Sequence, residues 1–311
     1  MKHLAGATRL FATALIVLAP LRATVAGAQA SPAFAPSAVH GAVDSASRHM
    51  LWRVTGPRGT VYLLGSVHLL SPDAYPLPAA IDSAFAKADR VVFEASIDSL
   101  QMRGAELVAR GTLPAGQTLQ GALPAAAYAK LDSLAPSYHL PLAQVQRFKP
   151  WVISLMLSQL ALASEGFSPQ YGVDVQLDSR AKAAGKALGS LESVDFQLGL
   201  FDSLSPSDQL SLLEESLITP DSAKREMQSL KTDWLAGNDA ALAHDTELGF
   251  ADNASLYHAL VLDRTRDWVP KVEAMLQQPQ TVLVVVGAGH LVGSQGLVAL
   301  LRAKGYTVTQ L

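Results

Sequence analysis

Two hydrophobic patterns divide the chain. Short apolar runs bounded by Gly and Pro lie near both ends and predict strands. Residues 51–54 and 60–64 flank Gly56-Pro57-Arg58-Gly59 and predict a β-hairpin. A helix over about 78–88, with Pro78 in its first turn, leads to a short buried strand at 90–94. Late in the chain, 282–286 predicts a strongly buried strand, 295–304 an amphipathic helix and 306–311 a last strand. Between about 98 and 260 the period changes, and apolar residues recur every three or four positions at 123–134, 151–162, 173–184, 209–217 and 227–235. Pro136, Pro141, Pro150, Pro169, Pro206 and Pro220 punctuate this stretch, and one strand is expected inside it at 187–191. The pattern predicts an α/β fold, with a mixed sheet built from N- and C-terminal βαβ segments and a large helical insert. No repeat of solenoid length is present.

The first thirty residues break from this plan. Lys2, His3 and Arg9 precede an apolar run over 10–21 that closes on Ala28-Gln29-Ala30, the order of a cleavable secretory signal. The run is too short to cross a bilayer as a mature helix. Residues 1–30 are therefore expected to be a signal peptide, 31–48 an Ala/Ser/Pro-rich tether and 49–311 one α/β domain. A soluble protein exported to the periplasm or beyond is expected. The apolar stretch 151–163 is too short for a membrane span and contains Ser154, Ser158 and Gln159.

Charge and composition narrow the chemistry. Cleavage after Ala30 removes Lys2, Arg9 and Arg22 but no acid, taking the net charge from −3 to −6, which argues against a nucleic-acid partner. The chain has no cysteine, so thiolate metal sites, disulfides and a cysteine nucleophile are excluded. No Gly-x-Ser-x-Gly elbow is present. The run Gly287-Ala288-Gly289-His290-Leu291-Val292-Gly293 imitates a dinucleotide fingerprint, but no acid ends the strand that follows.

Two strands end alike. One runs into Gly65-Ser66-Val67-His68, the other into Gly287-Ala288-Gly289-His290, with Gly65 and Gly287 expected to permit the turns. A third strand ends on Glu94. Ligands of open α/β sheets bind at the carboxyl ends of strands. If these strands are parallel neighbours, His68, His290 and Glu94 converge as a ligand set for a divalent ion with open coordination positions. Taken singly, each has a plainer reading: a loop histidine, or an acid paired with an arginine. Arg264 and Arg266 share a predicted helix with Trp268, where a cation could stabilise an oxyanion or merely pair with Asp263 or Asp267. Arg147 is a weaker substrate-binding candidate, and Asp174 reads as pinning the helix after Gly172. His139, His244 and His258 read as surface residues.

The opening run from Leu51-Trp52 through His68 to Tyr75-Pro76-Leu77-Pro78 resembles that of the TraB/GumN family, as does the segment from Val286 to Val308. Arg147-Phe148-Lys149-Pro150-Trp151, Gly172-Val173-Asp174, Leu191-Glu192-Ser193 and Asp263-Arg264-Thr265-Arg266-Asp267-Trp268 keep the family's order. The family is similar to the Tiki metalloproteases and, more distantly, to erythromycin esterases and haem-binding ChaN-like proteins. The resemblance implies a divalent ion (Mn, Co or Zn) on His68, Glu94 and His290. It also implies an active-site role for Glu94 and favours Arg264 as a catalytic residue, while Arg147 and Arg266 stand by charge and placement as candidates for binding a peptide or other small substrate. Thr265 departs from the Asn found in many relatives, which puts a polar contact there in question. The leading expectation is metal-assisted hydrolysis of peptide or amide bonds. The alternatives are a metal-free, esterase-like hydrolase using His68 and Glu94, and a haem-binding, ligand-binding or polysaccharide-associated protein.

Overall fold

The computed structural model describes residues 48–163 and 166–311. The expected signal peptide at 1–30 and nearly all of the tether at 31–48 lie outside the described residues. A six-stranded mixed sheet forms the centre, in the order β4-β3-β5-β2-β1-β6. The strands are β1 (Leu51–Thr55), β2 (Thr60–Ser66), β3 (Arg90–Phe93), β4 (Ala187–Ser190), β5 (Thr281–Gly287) and β6 (Thr307–Gln310).

The hairpin forms as the Gly/Pro turn predicts, with Leu51 opposite Leu64 in the β1–β2 ladder. The chain's end, β6, adds antiparallel to the free edge of β1. On the other side β2, β5, β3 and β4 are mutually parallel. Every residue of β2 and β5 after the first is buried, as expected of interior parallel strands covered on both faces. The α/β reading thus holds, with one difference in connection. The late strand β5 lies between β2 and β3, so the two N-terminal parallel strands, joined through the helix Ala79–Lys87, never touch. Unbroken Val/Leu runs mark a strand as interior but carry no neighbour preference, so adjacency is set by tertiary packing.

Between β3 and β5 the chain is mainly helical. The helix Pro150–Ala163 is apolar nearly all round and packs against Pro206–Ser216 and Pro220–Leu235. Its serines are satisfied internally: the Ser154 hydroxyl donates to the Leu212 carbonyl at 2.9 Å, and the Ser158 hydroxyl to that of Ser154 at 3.0 Å. From Pro220–Leu235, Trp234 reaches the sheet, its indole N–H donating to the Gly65 carbonyl at 2.7 Å. The helix Asp263–Leu276 is entered through a π-helical turn, His258–Leu262. Among the described residues no helix is long and apolar enough to cross a membrane.

Candidate active site

Because β2, β5, β3 and β4 are parallel, their carboxyl ends share one edge of the sheet. The register sets Ser66 beside Gly287, Phe93 beside Val285 and Phe93 beside Ser190. The residues just beyond these ends are His68, His290, Glu94 and Glu192. Two backbone bonds prolong the β3–β4 pairing, Leu191 N–H to the Phe93 carbonyl at 2.9 Å and Glu192 N–H to the Glu94 carbonyl at 2.7 Å. They hold the two glutamates side by side.

Arg264 joins these groups. Its Nε and Nη2 donate to Oε1 and Oε2 of Glu192, each at 2.9 Å. Nη2 also donates to Glu94 Oε2 at 2.6 Å, and Nη1 donates to the Leu260 carbonyl at 3.0 Å and to His290 Nε2 at 3.3 Å. All five guanidinium hydrogens are engaged. The Leu260 carbonyl lies in the π-helical turn, a kind of turn common at functional sites. Trp268 closes the cluster: its indole N–H donates to Glu192 Oε1 at 2.9 Å, and its ring lies 4.4 Å from that of His290.

The hydrogens on His290 can be assigned by accounting. The Thr265 hydroxyl donates its single hydrogen to the Val261 carbonyl at 2.8 Å, so at 2.8 Å from His290 Nδ1 it must accept. Nδ1 therefore carries the proton, and Nε2 accepts from Arg264. Thr265 thus keeps a polar contact at the position where the departure from Asn put one in question. Burial, reinforced by the Arg264 charge, pushes the His290 pKa down from 6.5 to about 3. Burial alone would raise the Glu94 pKa, but the Arg264 guanidinium, the His290 and His68 imidazoles and the Gly287 N–H together outweigh that and hold it at about 2. Glu94 Oε1 also accepts the Gly287 N–H at 2.7 Å.

Both shifts make the fold acid-sensitive. An unfolded chain takes up a proton at His290 below about 6.5, whereas the folded chain resists it until about 3, so stability declines as pH falls across that interval. Glu94 stabilises fully above its ordinary 4.5, and that contribution is lost as pH falls through about 2. Urea midpoints should fall between pH 7 and pH 4. His290→Gln should flatten the slope between 6.5 and 4.5 while leaving the decline below it. An unchanged wild-type midpoint across this range would contradict a buried neutral imidazole.

His68 has a separate partner. Its Nδ1 lies 3.0 Å from Asp174 Oδ2, and both residues are buried. The sequence reading of Asp174 as a helix pin needs correcting. Gly172 is the cap residue of Val173–Ala183, no side chain caps that end, and Asp174 bonds to His68 instead. Gly172 is needed for this approach, because a Cβ there would stand 2.4 Å from the His68 carbonyl oxygen. The Val173 N–H donating to the Val67 carbonyl at 3.1 Å completes the junction.

The expected turn glycines behave differently from expectation. Gly287 has φ −51°, and Gly65 is not among the positive-φ glycines. Gly65 is instead a point of close approach, since a Cβ there would lie 3.1 Å from Ala288 Cα and Cβ. Arg147 and Arg266 do not join the site. Arg147 is exposed with its guanidinium over the Phe148 ring, and Arg266 pairs at the surface with Asp263 at 3.2 Å and donates to Gln295 at 2.6 Å. Helix periodicity places Arg264 and Arg266 about 200° apart, so burying one exposes the other. His139, His244 and His258 are exposed.

A pocket of about 560 Å³, counting its open mouth, adjoins this cluster. His68, Glu94, Asp174, Gln197 and Arg264 form its polar lining. Glu192 and Gln197 were not singled out as site residues by sequence. The Gln197 amide donates to Glu192 Oε2 at 3.0 Å and Glu94 Oε2 at 3.3 Å. The rule that found Glu94, an acid just past a strand, also marks Glu192, but β4 is short and largely exposed and gives a weak signal.

The expected metal set meets an obstacle in this arrangement. Both Glu94 oxygens already accept hydrogen bonds, His290 Nε2 faces Arg264, and a divalent ion among the three ligands would abut a buried guanidinium. Among the described residues, no group of three or more His, Asp or Glu is arranged to hold a metal. As arranged, His68, Glu94 and His290 do not fit the ion.

Comparison with known proteins supplies further findings. The model of the TraB/PrgY/gumN family matches residues 50–310. The Escherichia coli (strain K12) protein YbaP is 28% identical over 241 residues, covering 78% of this chain and 87% of that protein. The Danio rerio metalloproteases TIKI1 and TIKI2 are 24% and 25% identical, covering 79% and 83% of this chain but 60% of each of those proteins. No solved structure gives a significant match.

Proposed function

The chain belongs to the TraB/PrgY/gumN family, and from that premise we propose that it is an exported hydrolase of peptide or related amide bonds, with His68 as its general base. The observation that carries this reading is the buried Asp174–His68 pair on the wall of a pocket, beside a carboxylate held ionised. The likeness to proteins named metalloproteases supports hydrolysis of peptides as the reaction class. The leader-like pattern at 1–30 supports export.

Each residue has a distinct part. Asp174 accepts the Nδ1 proton of His68 and leaves Nε2 as the basic nitrogen. A water held in the pocket loses its proton to Nε2 as it attacks the substrate carbonyl, and the imidazolium returns that proton to the leaving amine. Asp174 and Glu94 both stabilise the imidazolium between these steps. Glu94 is ionised at neutral pH, so it contributes charge and does not act as an acid. Arg264 has no hydrogen left to give an oxyanion. Its role is positioning: it keeps Glu94 ionised and fixes Glu192. No step here passes through a metal ion, because Arg264 stands among the ligands that would hold one.

The test is digestion of peptide, amide and ester substrates by the purified protein, followed by mass spectrometry. It is run with EDTA and with added Mn²⁺, Co²⁺ or Zn²⁺. Cleavage that persists in EDTA is the expected result. Cleavage lost in EDTA and restored by one of the ions would replace this reading with the metal-assisted one, and no cleavage of any carbonyl substrate would remove both.

A further inference from the structure

We infer that the pocket selects substrates carrying a large apolar side chain, leucine- or phenylalanine-like, seated between the helices Ile97–Met102 and Val194–Leu200. This deepens the hydrolase reading and rests on it for the word substrate. The side-chain preference itself is a property of the pocket walls.

The pocket lining combines the polar groups with apolar side chains: Ile97 and Leu100 come from one helix, Leu198, Leu200 and Phe201 from the other helix and its end, and Phe93, Ala95 and Val285 from the strand ends. Phe201 is braced from behind by stacking on Trp151, centroids 5.6 Å apart and planes at 20°, which makes it a firm wall. The two helices are tied together by Arg103 and Asp195, 2.6 Å apart, with Arg103 also held by Glu106. Their outer surfaces expose Met102 and Phe196, at 78% and 46%.

A charged or amide side chain entering this slot would lose its hydration and meet aliphatic and aromatic carbon in return. An apolar side chain gains by leaving water and finds shape-defining walls. With that side chain seated, the adjoining peptide group lies in the same pocket as His68. Gln197 links the polar and apolar lining, next to Leu198 in sequence and bonded to both glutamates.

Isothermal titration calorimetry of the full chain with N-acetyl-leucine amide, N-acetyl-phenylalanine amide, N-acetyl-glutamate amide and N-acetyl-lysine amide reads the preference directly. The same titrations on His68→Ala protein read it apart from turnover. The first two ligands should bind at least tenfold more tightly than the last two in both proteins, with a negative heat-capacity change. Leu198→Glu, checked for unchanged melting temperature, should abolish the difference; if it melts lower, Leu100→Gln serves in its place. Equal affinities, a preference for the charged amides, or no measurable binding overturn the inference. So does tight binding of decanoate alone, which would assign the slot to an acyl chain. Apolar preference without any cleavage would leave the slot standing and remove the hydrolase reading. Cleavage with no side-chain preference would do the reverse.

Discussion

Arg264→Met should lower the free energy of unfolding at pH 7 by about 3–5 kcal/mol, the usual cost of removing one partner from a buried ion pair. The Arg264 side chain is 2% exposed, and it is the cation between Glu94 and Glu192 at 11% and 6%. Without it, two carboxylates held side by side by the Glu192 N–H bond to the Glu94 carbonyl would face each other across a low-dielectric space. Glu94 would then no longer be held near 2, and protonation would relieve the repulsion. The variant's deficit should therefore shrink on acidification from pH 7 to pH 5, while the wild type weakens over the same interval. Arg264→Met combined with Glu94→Gln should recover part of the loss. Chemical denaturation at the two pH values checks all three statements, and a loss under about 1 kcal/mol is the result expected of a surface pair instead.

The second large effect is on turnover. His68→Ala and Asp174→Asn should each lower kcat by about 10²–10⁴ on whatever peptide substrate the wild type cleaves. The reasons differ. Alanine removes the base, whereas asparagine retains the shape and removes the charge that orients the Nδ1 proton and steadies the imidazolium. KM should change little in either variant, because the apolar lining of the pocket is intact. The acidic limb of the kcat–pH profile should also shift in Asp174→Asn, since a general base must be unprotonated to act and Asp174 holds that imidazole. If Asp174→Asn matched the wild type in rate and profile, the dyad would be structural.

Much of this arrangement can be read in the sequence, for a physical reason. Buried parallel strands are unbroken apolar runs, and the residue that follows such a run must emerge at the sheet edge. Gly65-Ser66-Val67-His68, Gly287-Ala288-Gly289-His290 and the Glu94 strand end are therefore visible without coordinates. Histidines 222 positions apart follow strands that are direct neighbours in the sheet, Ser66 beside Gly287. What escaped is of a different kind. Glu192 follows a weak edge strand whose exposure hides its role, and Gln197 lies one turn into a short helix, where polarity alone says nothing. Asp174 was visible as a first-turn acid, but its partner depends on how closely Gly172 approaches His68, a tertiary fact. The metal expectation rested on three residue types converging. It could not include Arg264 among them, because that side chain's direction follows from the phase of a helix entered through a π turn. Arg147 and Arg266 were plausible by charge and order in the chain, and the same helical phase that buries Arg264 leaves Arg266 at the surface.

The strand order has a consequence for biosynthesis. Across the sheet edge the groups run Glu192, Glu94, His290, His68, so the last-made of the four lies between the two made first. Until translation has passed residue 290, β2 and β3 have a gap where their shared neighbour belongs, and Glu94 lacks the Gly287 N–H that donates to it. A nascent or C-terminally clipped polypeptide therefore lacks His290 and the bond that holds Glu94 at the sheet edge.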